Sequence, residues 1–381
     1  VLPALVFVAL AAFAVALLVA PHTGRAAALH LILAVGAMPL ILGAMGHFIP
    51  VLTRSRTAPA GLVGIPLLAL AGGVLVVAAL GLPGLRWWPP AGALPALVAA
   101  SALLIWSRRR RVGMLGRAHP GLAWYEAALA CLMLALVAIL ASTVWPSQAP
   151  ALRRLHLHLN TLGFVGLTAL GTLAVLLPTV ANRPDPEVAR RLRRDLPWAV
   201  AGTLLVAIGA AWYGPLAGIG GTIWAVPLMR MAAAWLRHYR AEIFARHGAA
   251  PLLAAALAGL GFSAAVGAVQ VFPAPTALHF VVAPAWVFVT GFMLPLVSGA
   301  ASQLLPVWLR PGVQGAWHAR LRKLLGRHAG IRAVLFLIAG VAAGIGQDWG
   351  LLLGVATLLW FILQAVTALL RAWLTPREEP A

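Results

Sequence analysis

Five histidines of this 381-residue sequence, His22, His30, His156, His158 and His279, lie in or beside long apolar runs, on the side where arginine is scarce. Imidazole is the commonest side-chain ligand of transition metals and a common axial ligand of haem iron. An ionisable group at membrane depth is costly enough to be a functional candidate by default. The pair His156-Leu157-His158 is the most informative spacing. Two positions apart on a helix is a rotation of about 200°, so the rings point to nearly opposite sides and one helix can reach two centres. An interfacial histidine can equally do no more than hydrogen-bond headgroups or water, the simpler reading for His22. Recurrence at one depth on repeated helices weighs against it for His30, His156 and His158. Arg153 and Arg154 directly precede the pair. Two guanidinium groups there fit haem propionates through charge-assisted, bidentate contacts, or form a solvated outer-loop pair.

The elements that must carry these rings follow from composition. The chain is 62% hydrophobic and 9% charged, with a mean hydropathy of +0.95, which leaves too little polar surface for a water-soluble protein. Apolar runs of membrane-spanning length recur throughout, and in lipid a helix satisfies its own backbone. The expectation is an all-α membrane protein of about 12 transmembrane helices, over residues 2–20, 27–52, 61–82, 91–107, 121–145, 155–181, 197–213, 215–236, 250–272, 277–308, 331–346 and 350–373. Residues 1–20 lack a basic leader region and count as the first span. The net charge of +20 does not mark a nucleic-acid binder, because the basic residues fall between apolar runs. One side collects 24 of the 28, leaving Arg25, Arg86, Arg153 and Arg154 on the other. That bias puts the rich side and both termini in the cytoplasm, as expected of a bacterial inner-membrane protein whose first partner is the bilayer. The basic stretches 182–196 and 309–330 are expected to lie on the anionic leaflet. Cys131, alone, excludes a disulfide framework.

An internal repeat organises the spans. The second begins at His30 and ends at Pro50, the sixth runs from His158 to Pro178, and the tenth from Trp286 to Pro306. Each places a proline twenty positions after a ring, with an interior rich in small residues. Three pseudo-symmetric four-helix units follow, residues 1–120, 121–248 and 249–381, forming one membrane domain. Pro39, Pro227, Pro284 and Pro295 are expected to bend or unwind their helices. Other polar groups have modest readings. Glu126, inside the fifth span, suits proton uptake or pairing with an interfacial arginine. Arg230 can snorkel, and Asn160 and Thr168 can support ligands or bond between helices. His47, His119, His238, His247, His318 and His328 lie among cytoplasmic arginines and are expected to be solvated. Gly218-Ile219-Gly220-Gly221 follows no strand and carries no phosphate-loop lysine.

The segment from His30 through Met38-Pro39 to Gly43-Ala44-Met45-Gly46-His47-Phe48-Ile49-Pro50 resembles the second helix of haem–copper oxidase subunit I. Residues His156 to Gly166 are similar to the His-x-His helix of cbb-type oxidases and nitric oxide reductases, although here that motif is on the sixth span rather than the tenth. The twelve-helix plan also resembles the NnrS family of haem- and copper-containing membrane proteins. The resemblance implies haem b, with copper as a second metal, and a redox partner protein or complex. It implies His30 with one of His156 and His158 at one centre, and the other, with His279, at a second. The implied work is electron transfer or nitric oxide or oxygen chemistry near the periplasmic face. The chain departs from the oxidases' three-histidine copper site: the seventh span has no histidine, and His279 stands seven positions before Trp286. Two other classes share the architecture, a secondary transporter and a non-catalytic subunit of a respiratory or metal-dependent complex. A transporter would more usually show a twofold repeat with polar midplane residues.

Overall fold

The helix Trp349–Ala372 shows what these apolar runs build. Leu351, Val355, Leu358, Phe361, Ala365, Ala368 and Ala372 recur at three- and four-residue steps and are buried, while Leu352, Leu359, Leu363, Val366 and Leu370 form an exposed stripe. A helix in water would make the second stripe polar. Here both faces are apolar, as a helix between protein and lipid requires.

The computed structural model describes residues 1–55, 57–82, 84, 89–269 and 284–374. Among them there is no strand, and 12 helices are long and apolar enough to cross a membrane. They are α1 (Leu2–Val19), α2 (Arg25–Leu52), α3 (Ala60–Gly81), α4 (Pro90–Val112), α5 (Gly121–Val144), α6 (Pro146–Val180), α7 (Val188–Trp212), α8 (Gly214–His238), α9 (Ala250–Ala268), α10 (Pro284–Leu309), α11 (Ala316–Gly344) and α12 (Trp349–Ala372). The first and last close on each other, since α1 packs against α2, α10 and α12. Helices α10 and α6 are the most enclosed, with 83% and 67% of their apolar windows buried, whereas α2, at 44%, is no more enclosed than the peripheral helices.

The three repeated helices share a backbone feature that composition did not announce. Each leaves the α-helical path for a π-helical segment at nearly the same register: Leu31–Ala37 in α2, Leu159–Leu167 in α6 and Phe288–Met293 in α10. In α2 and α10 a proline follows at once, Pro39 and Pro295. A proline has no N–H to donate and its ring crowds the carbonyl four residues back; a widened turn relieves both. In α6 the same register has no proline. There Thr168 Oγ1 donates to the Phe164 carbonyl at 2.6 Å, the same carbonyl that its own N–H reaches.

Glycines let neighbours close on the widened turns. Gly73 of α3 lies against the Ala34 carbonyl, and Gly259 of α9 lies against the Gly291 carbonyl, each too close for a Cβ. Gly340 of α11 meets the other side of Gly291. These are the small-residue contacts through which membrane helices pack.

Several boundaries differ from expectation. Helix α7 starts at Val188, so the basic stretch expected on the leaflet is in large part an inward extension of the span, with Leu192 buried. In α11 the run breaks between Ala316–Leu325 and Ala329–Gly344. The first piece carries Arg320, Arg322 and Lys323 and buries Leu321 and Leu325, the amphipathic basic helix anticipated there. His318 is buried rather than solvated; its Nδ1 accepts the Gly315 N–H at 3.2 Å and its Nε2 donates to the Arg310 carbonyl at 2.8 Å. Glu126 accepts from Arg111 at 2.5 Å and from Ser107 at 3.2 Å. Arg230 bonds the buried Asp195 at 2.9 Å, with Arg194 on the same carboxylate. That bridge joins α7 to α8 and was not foreseen from sequence.

Candidate cofactor site

The arginine-poor ends of α2 and α6 bring two of the singled-out histidines together. His30 closes the first α-helical stretch of α2, directly before its π-helical segment. His156 and His158 close the corresponding stretch of α6. The rings of His30 and His156 approach each other from the two helices, with centroids 6.3 Å apart and planes within 13° of parallel. That separation is too wide for direct ring stacking. It is close to the spacing of two imidazoles bound through one metal at bond lengths of roughly 2 Å, which puts ring centres about 6 Å apart.

Each ring is held through the same nitrogen. His30 Nδ1 bonds the Ala26 carbonyl at 2.7 Å, His156 Nδ1 bonds the Ala135 carbonyl of α5 at 2.9 Å, and His158 Nδ1 bonds the Arg154 carbonyl at 2.9 Å. A carbonyl can only accept, so Nδ1 carries the proton in all three rings and Nε2 keeps its lone pair. This is the usual second contact of a metal-binding histidine, fixing tautomer and ring orientation. The donor set therefore fits an axially ligated haem iron or another imidazole-bound metal.

The remaining residues take defined places. The Asn160 amide donates to the His156 carbonyl at 2.9 Å and lies 3.4 Å from each nitrogen of that ring, bracing it. Arg154 donates to the Ala210 and Ala211 carbonyls at 2.8 and 3.1 Å, capping the C-terminal end of α7, while Arg153 is exposed. His279 lies outside the described residues. His30 and His158 occupy equivalent positions of the repeat and hold equivalent bonds to the carbonyl four residues back, yet the ring that meets His30 is His156. The position equivalent to His156 in α10 is Pro284. Among the described residues no group of three or more His, Cys, Asp or Glu is assembled as for a metal ion.

Sequence reasoning missed the Ala26 and Ala135 carbonyls, which carry no side-chain signal. The prolines at equal register in the second and tenth spans were the available sign of the π-helical segments.

Fold and site define a multi-pass, all-helical membrane protein that brings two imidazoles together near one end of the bundle. No family model matches the chain. Over 60 residues it is 37% identical to cytochrome c oxidase subunit 1 of Thermus thermophilus, a stretch that covers 16% of this chain and 56% of that protein. The chain thus spans about half the length of the curated relative it matches.

Proposed function

We propose that this chain is a membrane haem protein of haem–copper oxidase-like or NnrS-like character, in which His30 and His156 would hold a b-type haem. The observation that carries the reading is the near-parallel pair at 6.3 Å, each ring with Nδ1 bonded to a carbonyl and Nε2 left to coordinate. The local likeness to an oxidase subunit supports it.

A bound haem would supply one-electron transfer and small-gas chemistry such as that of nitric oxide or oxygen. The chain supplies the rest. Ala26 and Ala135 hold the ligand rings in one tautomer, Asn160 braces His156, and apolar helix surface lowers the polarity around the site. Arg153 is the guanidinium proposed to meet propionates, and Arg154 anchors the helix that carries the pair. His158, held like His30 but on the opposite side of α6, is the ligand offered to a second centre, for which copper is the candidate metal. The excess of arginine at the other end supports a site on the periplasmic side of a bacterial inner membrane, with both termini inside. Electrons then pass to or from a redox partner or complex on that side. The three four-helix units, 1–120, 121–248 and 249–381, supply one repeated helix each.

The test is an optical spectrum of detergent-purified protein with haem and metal analysis. The expected result is a reduced-minus-oxidised difference with Soret and α bands, abolished in His30→Ala and His156→Ala but retained in His158→Ala. A colourless, metal-free protein after expression with ample haem overturns the proposal.

A further inference from the structure

At the arginine-rich end of the bundle a cleft of about 410 Å³ opens between α12 and the break in α11. One wall is apolar, formed by Leu324, Trp360, Leu363 and Ala368, and the rim carries Arg327, His328 and Arg371. Among the described residues lining it, none is acidic.

The cleft is built rather than incidental. Gln364 of α12 donates to the Leu324 and Leu325 carbonyls at 2.6 and 2.9 Å, and its Oε1 accepts from Arg332 at 3.2 Å. Arg332 is fully buried and also donates to the Leu325 carbonyl at 2.9 Å. Together they fix the turn that presents Arg327 and His328. His328 adopts a left-handed backbone, φ 58°, unusual for a residue with a side chain and worth a structural cause. Its N–H is held by His247 Nδ1 at 3.0 Å, and its ring lies beside Trp360, with centroids 6.1 Å apart. His328 Nδ1 is enclosed and has no hydrogen-bond partner.

We propose that this cleft binds the headgroup of an anionic phospholipid, with the phosphate between Arg327, His328 and Arg371 and the acyl chains along Leu363 and the lipid-facing stripe of α12. The choice of lipid over free phosphate rests on continuity: Leu363, at the wall, belongs to the exposed apolar stripe of α12. Cationic pockets between membrane helices at the interface are suited to such headgroups.

The test is native mass spectrometry of the detergent-solubilised full chain titrated with dioleoyl phosphatidylglycerol, dioleoyl phosphatidylcholine or inorganic phosphate. Phosphatidylglycerol should bind at one saturable high-affinity site that phosphatidylcholine does not fill, and millimolar phosphate should not displace it. Arg327→Gln with Arg371→Gln should weaken binding by about thirtyfold, the effect of two arginines near a charged headgroup layer. Leu363→Trp, which fills the apolar wall without changing charge, should weaken it as well, and it serves if the double variant fails to fold. Equal binding of the two lipids, displacement by phosphate, or unchanged binding in both variants overturns the proposal.

Discussion

At the scale of single residues, hydrogen bonds to backbone carbonyls decide what the histidines can do. A histidine near the membrane surface is ambiguous until its second nitrogen is accounted for. At His30, His156 and His158 that nitrogen is bonded to a carbonyl, leaving the other with its lone pair. The residue types and their depth were legible in the sequence. That His156 rather than His158 meets His30 was not, because the choice depends on the rotation of α6 about its axis. Outside the membrane the same reasoning gives a pH prediction. His119, between α4 and α5, accepts the Gly121 N–H through Nδ1 at 3.1 Å. Burial, and then Arg193 and Arg54, hold its pKa below the usual value. A histidine whose folded pKa is depressed favours the folded state above the unfolded pKa, and that contribution is lost as pH falls toward the folded value. The thermal midpoint should therefore fall between about pH 7 and pH 5, and His119→Asn should flatten that slope. An unchanged slope in the variant would remove His119 from the account.

At the scale of elements, the helices could be read from hydropathy because both faces of each are apolar, whereas their distortions could not. A π-helical turn adds a residue to a turn without altering composition, and only the register of Pro39 and Pro295 hinted at it. Boundaries failed where basic residues continue a helix beyond the lipid, as at the start of α7. The glycine contacts on the widened turns are testable. Gly259→Ala would gain a little helix propensity but drive a methyl group into the Gly291 carbonyl, overpacking that costs about 1–3 kcal/mol. Gly267→Ala on the same helix meets nothing within 4 Å and should be neutral or slightly stabilising. Thermal unfolding in detergent should separate the two variants; equal midpoints would show that α9 and α10 do not depend on close approach at Gly259.

At the scale of the whole molecule, the proposed orientation rests on the asymmetric charge. A fluorescent protein fused after Leu374 should fluoresce, and alkaline phosphatase fused after Trp145 should be active; the reverse pattern would place the histidine pair on the cytoplasmic side. The closing contact of α12 on α1 and the deep burial of α6 and α10 make a scaffold rigid enough to hold two rings from separate helices at a set angle. That angle gives the most direct test, electron paramagnetic resonance of the oxidised protein. Imidazole planes 13° from parallel predict a rhombic low-spin ferric signal that disappears in both His30→Ala and His156→Ala. A strongly axial low-spin signal, or any low-spin signal that survives His156→Ala, would contradict ligation of one iron by this pair.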